Sequence, residues 1–157
     1  MDNDKWHRLA RGIDCPFDAP RPASNEEWEL VAPLSAASLY LSRNQTYRGH
    51  CLLILDLAHA TRPGELSVEQ WASFSRDLHK AVVAITATVR PEHINVASLG
   101  NLVPHLHWHI VPRYRTDPRW GGPIWTADMP DTRLTAAEQR ELINDLKAAL
   151  AGAGPMA

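Results

Sequence analysis

Three histidines alternate with apolar residues in His105-Leu106-His107-Trp108-His109. On an extended strand, side chains alternate faces, so the three imidazoles would share one side while Leu106, Trp108 and Ile110 turn to a core. Neighbouring rings would stand about 6.5 Å apart at the strand rise of about 3.3 Å per residue, close enough to act on one phosphate. Phosphoryl transfer needs an in-line nucleophile and donors aimed at the phosphate oxygens. An imidazole whose Nδ1–H is held by a backbone carbonyl presents Nε2 for attack, and a neighbouring imidazolium can donate to phosphate or leaving group. The ordinary histidine pKa near 6.5 allows both forms near neutrality. His107, with a histidine on each side, is the expected nucleophile.

Two other uses of such a strand compete with this one. His-x-His is a chelating pair, and a third nitrogen would leave an open position on zinc. Three successive positions of one straight strand, however, converge poorly on an ion at about 2 Å, and no Asp or Glu lies nearby in sequence to orient them. A merely polar sheet face would desolvate three histidines for nothing.

The strand needs a sheet around it. Ala37–Asn44 and His50–Leu57 are rich in Leu, Ile and Tyr and are separated by turn-forming residues, which predicts a hairpin. Ser67-Val68-Glu69-Gln70 has the form of a capping box, and Trp71, Phe74, Leu78, Val82, Ile85 and Val89 lay one apolar stripe down a helix of about six turns that Pro91 ends. His79, beside that stripe, reads as a surface residue. His93–Leu99 and Val103–Val111 are two further expected strands with Gly100-Asn101 as the turn between them. After a breaker-rich segment with Pro118, Trp120 and Trp125, Thr135 to Glu138 forms a second capping box. Leu142, Ile143, Leu146 and Leu150 then mark a second amphipathic helix. The first 33 residues, with Pro16, Pro20, Pro22 and Pro33, read as an irregular arm. Residues 1–157 are thus expected to form one α+β domain: arm 1–33, core 34–115, and aromatic loop with C-terminal helix 116–157.

Composition narrows the partners. With 157 residues, 45% hydrophobic and 22% charged, the chain can bury a core without metal or disulfide help. A net charge of -2 and scattered Lys and Arg argue against a nucleic-acid binder. The polar start Met1-Asp2-Asn3-Asp4-Lys5 and the lack of any long apolar run make a cytoplasmic protein without membrane contact the expectation. Cys15 and Cys51 stand as free thiols or as a single bridge.

The string His105 to Val111 matches His-φ-His-φ-His-φ-φ, with φ apolar, and resembles the histidine triad (HIT) family. Arg48-Gly49-His50 is similar to that family's Pro-Gly-His turn, His59 lies where many members carry another histidine, and Asn95, Gly100-Asn101 and Pro112-Arg113 resemble the segments around the triad. The resemblance spans Asp14 to Arg115, and the loop from Asp117 to Trp125 looks like that of a bacterial, Fhit-like branch.

The resemblance implies an α+β fold with a five-stranded antiparallel sheet, one long inserted helix and a C-terminal helix, usually in a homodimer. It implies hydrolysis or transfer at the α-phosphate of dinucleoside polyphosphates or nucleotide phosphoramidates through a nucleotidyl-histidine, with no cofactor. Carried over, His107 is the nucleophile, His109 and His50 contact phosphate, His105 supports His107, and Asn95 and Asn101 bind ribose or phosphate. Ser42 stands where the family often has Asn or Asp for the ribose hydroxyls. Arg48 replaces the turn's usual proline, and Leu102 occupies a place where Ser or Thr often assists the leaving group. These departures keep open a nucleotide-binding module with little catalysis, and the chelating His-x-His pair keeps open a metal-dependent hydrolase. Cys15-Pro16-Phe17-Asp18 resembles the Cys-x-x-Cys of zinc-binding members, which add a histidine like His59 and the first triad histidine, here His105. Asp18 in place of the second cysteine puts hard oxygen for soft sulfur.

Overall fold

A computed structural model describes residues 3–117, 119–126 and 130–152. Pro118, the first two residues and the Gly154-Pro155 tail lie outside them.

Five strands form one antiparallel sheet in the order β1-β2-β3-β5-β4. They are β1 (Trp28–Pro33), β2 (Ala37–Ser42), β3 (Cys51–Leu55), β4 (His93–Ala97) and β5 (His107–Arg113), with α1 (Asn3–Leu9) before the sheet, α2 (Val68–Val89) between β3 and β4, and α3 (Ala136–Gly152) at the end. The expected hairpin is β2 against β3, with Tyr40 opposite Leu52 and Leu41 opposite Cys51.

α2 begins as its sequence requires, because Ser67 accepts from the Gln70 amide and the Gln70 side chain accepts from the Ser67 amide. The same exchange between Thr135 and Glu138 starts α3. Both helices cover one face of the sheet, where Leu39, Leu41, Leu53, Phe74, Ile85, Ile110, Leu142 and Leu146 form a buried core. Trp108 stacks on Phe74 on this side, at 6.4 Å between centroids, and His79 is exposed. The other face carries a smaller cluster of Cys15, Phe17, Trp28, Tyr40, Leu52 and Ile54.

Two expectations require correction. The first 33 residues are not wholly irregular, since they hold α1 and β1, the fifth strand of the sheet. Four prolines masked a short strand that ends at one of them, where no further ladder donor is needed. The second strand pair also does not meet at a tight turn. β4 ends at Ala97 and β5 begins at His107, so residues 98–106 form a loop and His105 precedes the strand. Pro104 lacks a ladder donor, and the neighbouring amides turn elsewhere: His105 N–H donates to the Val103 carbonyl and Leu106 N–H to Ala60.

Asp77 is a polar member of the core that its sequence context does not mark. Only 4% exposed, it accepts from the amides of Ala36 (2.6 Å), Ala37 (3.1 Å) and Ser35 (3.3 Å), fastening α2 to the β1–β2 turn.

Candidate active site

β5 aims His107 and His109 to the same side, with ring centroids 5.1 Å apart. The turn before β3 adds His50, whose Nε2 lies 3.2 Å from His109 Nδ1. That turn is tightly specified. Gly49 has φ +90, and a Cβ there would lie 2.9 Å from Val89 Cγ2, so only glycine fits. The Gln45 side chain spans the turn, accepting from Gly49 N–H at 2.7 Å and donating to the His50 carbonyl at 3.1 Å.

His107 Nδ1 is 2.6 Å from the backbone carbonyl of His105. A carbonyl can only accept, so Nδ1 carries the proton and Nε2 keeps its lone pair. Burial pushes the His107 pKa down and outweighs the opposing effect of that hydrogen bond, so the ring is neutral at pH 7. His50 is pushed down to about 4, chiefly by burial. His109 is pushed down to about 3 by burial and by the adjacent His50 and His107. Three neutral imidazoles thus meet at one end of a cleft of about 770 Å³.

Of the residues singled out in the sequence, the cleft brings together His107, His109, His50, Ser42 and Asn101. It does not bring His105 or Asn95. The His105 ring turns away from the cleft, edge-on to Phe17 and to His59 at 5.3 Å, so the three-ring ladder is two rings plus His50. Asn95 Oδ1 accepts from Arg113 at 2.8 Å, in a buried network where Arg113 also bonds Asp117 and the Arg119 carbonyl. Asn95 therefore helps brace the loop after β5 and does not line the cleft.

The lining also includes residues with no sequence signal of their own: Phe17, Glu27, Trp28, Leu52, Leu99 and Val103. Phe17 sets its ring at 5.0 Å and 89° to that of His107. The pairing of β1 with β2 places Glu27 and Trp28 there, the return of the arm places Phe17, β3 carries Leu52, and the loop before β5 carries Leu99 and Val103. Leu102 stands at the lip, 75% exposed. Trp125 packs edge-on to His109 at 4.9 Å. Both cysteines are free and buried, and burial raises both thiol pKa values, which disfavours a thiolate nucleophile.

Behind the cleft, Cys15, Asp18, His59 and His105 place one ligand atom each within 4.8 Å of one another. His105 Nε2–H donates to the Leu55 carbonyl at 2.9 Å, and His59 Nε2–H to the Ala10 carbonyl at 3.2 Å. Both Nδ1 atoms therefore turn toward Asp18 Oδ1, at 3.2 Å from His105 and 3.0 Å from His59, with Cys15 Sγ 3.8 Å from His105 Nδ1. Two imidazole nitrogens facing one carboxylate can share either a proton or a bound cation. A set of two nitrogens, one sulfur and one oxygen, each imidazole oriented by a backbone carbonyl, fits zinc.

No curated protein matches the chain. Solved structures do. A histidine triad protein from Bradyrhizobium japonicum is 26% identical with TM-score 0.74, covering 80% of this chain and 92% of that one. One from Marinobacter aquaeolei VT8 is 24% identical with TM-score 0.73, covering 82% and 92%. A Zn-bound histidine triad family protein from Mycobacterium smegmatis is 19% identical with TM-score 0.54, covering 92% and 90%. The last two likenesses speak for the fold alone. The HIT domain model matches residues 29–116, more than half of the chain and all of the sheet but the first residue of β1, and the chain therefore belongs to the HIT domain family of nucleotide hydrolases, transferases and nucleotide-binding proteins.

Proposed function

We propose that the protein is a nucleotidyl hydrolase or transferase that works through a covalent nucleotidyl-His107. The observation that carries this reading is the 2.6 Å hydrogen bond from His107 Nδ1–H to the His105 carbonyl, which leaves a neutral Nε2 as the attacking atom. Nε2 bonds to the α-phosphorus, and the bond from phosphorus to the leaving group breaks with its electron pair, which takes a proton. Water then attacks the phosphorus as the P–Nε2 bond breaks and its electron pair returns to His107, the proton lost by the water replaces the one the leaving group took, and the nucleoside monophosphate departs. His109 and His50 share one hydrogen bond and hold the phosphate oxygens, gaining charge once the anion is bound. His105 supports His107 through its backbone, and Asn101 and Ser42 contact the nucleotide from the cleft wall. Substrates are dinucleoside polyphosphates or nucleotide phosphoramidates.

Zinc belongs to this reading as a structural group held by Cys15, Asp18, His59 and His105. When bound it would clamp the N-terminal arm to the sheet. The arm reaches the cleft loop a second time where Trp6 Nε1–H donates to the Asn101 carbonyl at 3.0 Å. The proposed assembly is a homodimer, for which β4 supplies a sheet edge with Val96 exposed. Light scattering on the eluted protein tests it. The proposed setting is the cytoplasm, in keeping with two free cysteines; no described helix is long and apolar enough to cross a membrane.

The competing reading, nucleotide binding with little catalysis, draws on Leu102, whose hydrocarbon side chain cannot donate to a leaving group. Single-turnover assays and intact mass spectrometry separate the two, run with chelator present on an adenosine phosphoramidate and a diadenosine polyphosphate. AMP release through an adenylate adduct absent from His107→Ala supports the covalent route. AMP binding with no adduct and no product gives the binding module its place.

A further inference from the structure

Among the described residues lining the cleft, Glu27 is the one carboxylic side chain, and no Lys or Arg lines it. A carboxylate in a cleft for an anion needs an explanation. Its position removes the conflict with phosphate: the histidines stand on β5 and at the start of β3, whereas Glu27 immediately precedes β1, on the far side of β3 and β2. At about 4.8 Å per strand, its backbone lies about 14 Å from that of β5. There the carboxylate stands clear of the phosphate, and its charge is felt by Arg133.

The backbone of Glu27 is fixed from both sides. Its N–H donates to Asn25 Oδ1 at 2.8 Å, and its carbonyl accepts from Arg43 N–H at 2.8 Å, which seats it beside the Trp28–Ser42 pair. Nearby cations make their hydrogen bonds elsewhere. Arg43 bonds Glu29, Ser24 and the Asn25 carbonyl, and Arg133 pairs with Asp131. Asn44, the next polar lining side chain, is committed to the Pro130 carbonyl and Thr46. Ser42 lines the same part of the cleft, but its hydroxyl sits one bond beyond Cβ in a residue only 7% exposed. Glutamate extends two carbons farther and ends in two acceptor oxygens.

We infer that the Glu27 carboxylate accepts hydrogen bonds from the vicinal ribose hydroxyls of the nucleotide, at the entry to β1 beside the Trp28–Ser42 pair. The inference rests on the nucleotidyl reading above. It makes the cleft selective for ribonucleotides by the residue that leads into β1, with two acceptor oxygens matched to two adjacent donors. Binding to charged acceptors of this kind is commonly worth a factor of about ten or more.

Calorimetric titration of AMP, 2′-deoxy-AMP and GMP into wild type, Glu27→Ala and Glu27→Gln tests it, with the melting temperature as a fold check. Wild type is expected to bind AMP about tenfold tighter than 2′-deoxy-AMP, Glu27→Ala to lose that factor on AMP alone, and Glu27→Gln to fall between. Equal wild-type affinity for AMP and its deoxy analogue overturns the inference while leaving the nucleotide site intact. So does an equal loss on both ligands in Glu27→Ala, and a loss confined to GMP, which assigns Glu27 to the base. Absence of any nucleotide binding to wild type overturns the nucleotidyl reading and this inference with it.

Discussion

The proton on His107 Nδ1 is held by the main chain of His105, at 2.6 Å, and not by that residue's imidazole, which faces the Cys15-Asp18-His59 cluster. Neighbouring histidines of one motif thus serve two sites, joined by a single peptide carbonyl.

This division predicts unequal mutants. His107→Ala should lose adduct formation and at least about 10³-fold in single-turnover rate, since the nucleophile itself is gone. His105→Ala keeps the carbonyl, so the protein that remains folded should still form the adduct, with a far smaller loss. Rapid-quench assays on both variants check the order. Equal losses would place the control of His107 in the His105 side chain.

Acid should weaken the protein through His50 and His109. Both pKa values are depressed in the folded state, to about 4 and about 3, so the unfolded chain takes up protons near pH 6.5 that the folded chain refuses. Stability is then insensitive to these groups above about pH 7 and falls as the pH drops from there toward 4. A loss of roughly 2 kcal/mol from each ring, about 4 kcal/mol for the pair, is expected between pH 7 and 5. Urea titrations across that range measure it, and His109→Asn should flatten the slope. A bound nucleotide phosphate favours the charged rings and should move the decline to lower pH.

Metal removal should loosen the arm. Protein purified with zinc is expected to carry one ion per chain and to melt several degrees lower after chelation, because an ion bound only to the folded state stabilises it. Asp18→Cys should hold zinc more tightly and Asp18→Ala more weakly, since sulfur suits zinc better than carboxylate oxygen. Elemental analysis and thermal melts give the readout. No metal, and no change of melting temperature with chelator, would assign the cluster to an Asp18–imidazolium contact.

Asp77→Ala should destabilise by about 3 kcal/mol while leaving nucleotide affinity nearly unchanged in the folded fraction. It strips acceptors from three backbone amides at the β1–β2 turn, far from the histidine rings. Denaturant unfolding against wild type measures the loss. A change under about 0.5 kcal/mol would mean that water replaces the carboxylate there.

Much of this protein is determined by local sequence. Capping boxes at Ser67 and Thr135 set where both long helices start, and the apolar periods behind them set which faces are buried, because capping and amphipathicity act within a few residues. The alternation from His107 to Val111 settles a strand with imidazoles on one side. What local pattern could not settle is where distant segments meet. His105 and His107 share a two-residue spacing, yet Pro104 ends the ladder between them and sends one ring to each side of the peptide. Asn95 looked free to bind substrate until Arg113 and the loop after β5 claimed it. β1 lay hidden among prolines because its stability comes from pairing with β2, and that pairing alone brings Glu27 and Trp28 to the cleft. Spacing along the chain specifies which side of an element a group faces, and only the packing of the elements decides what it faces there.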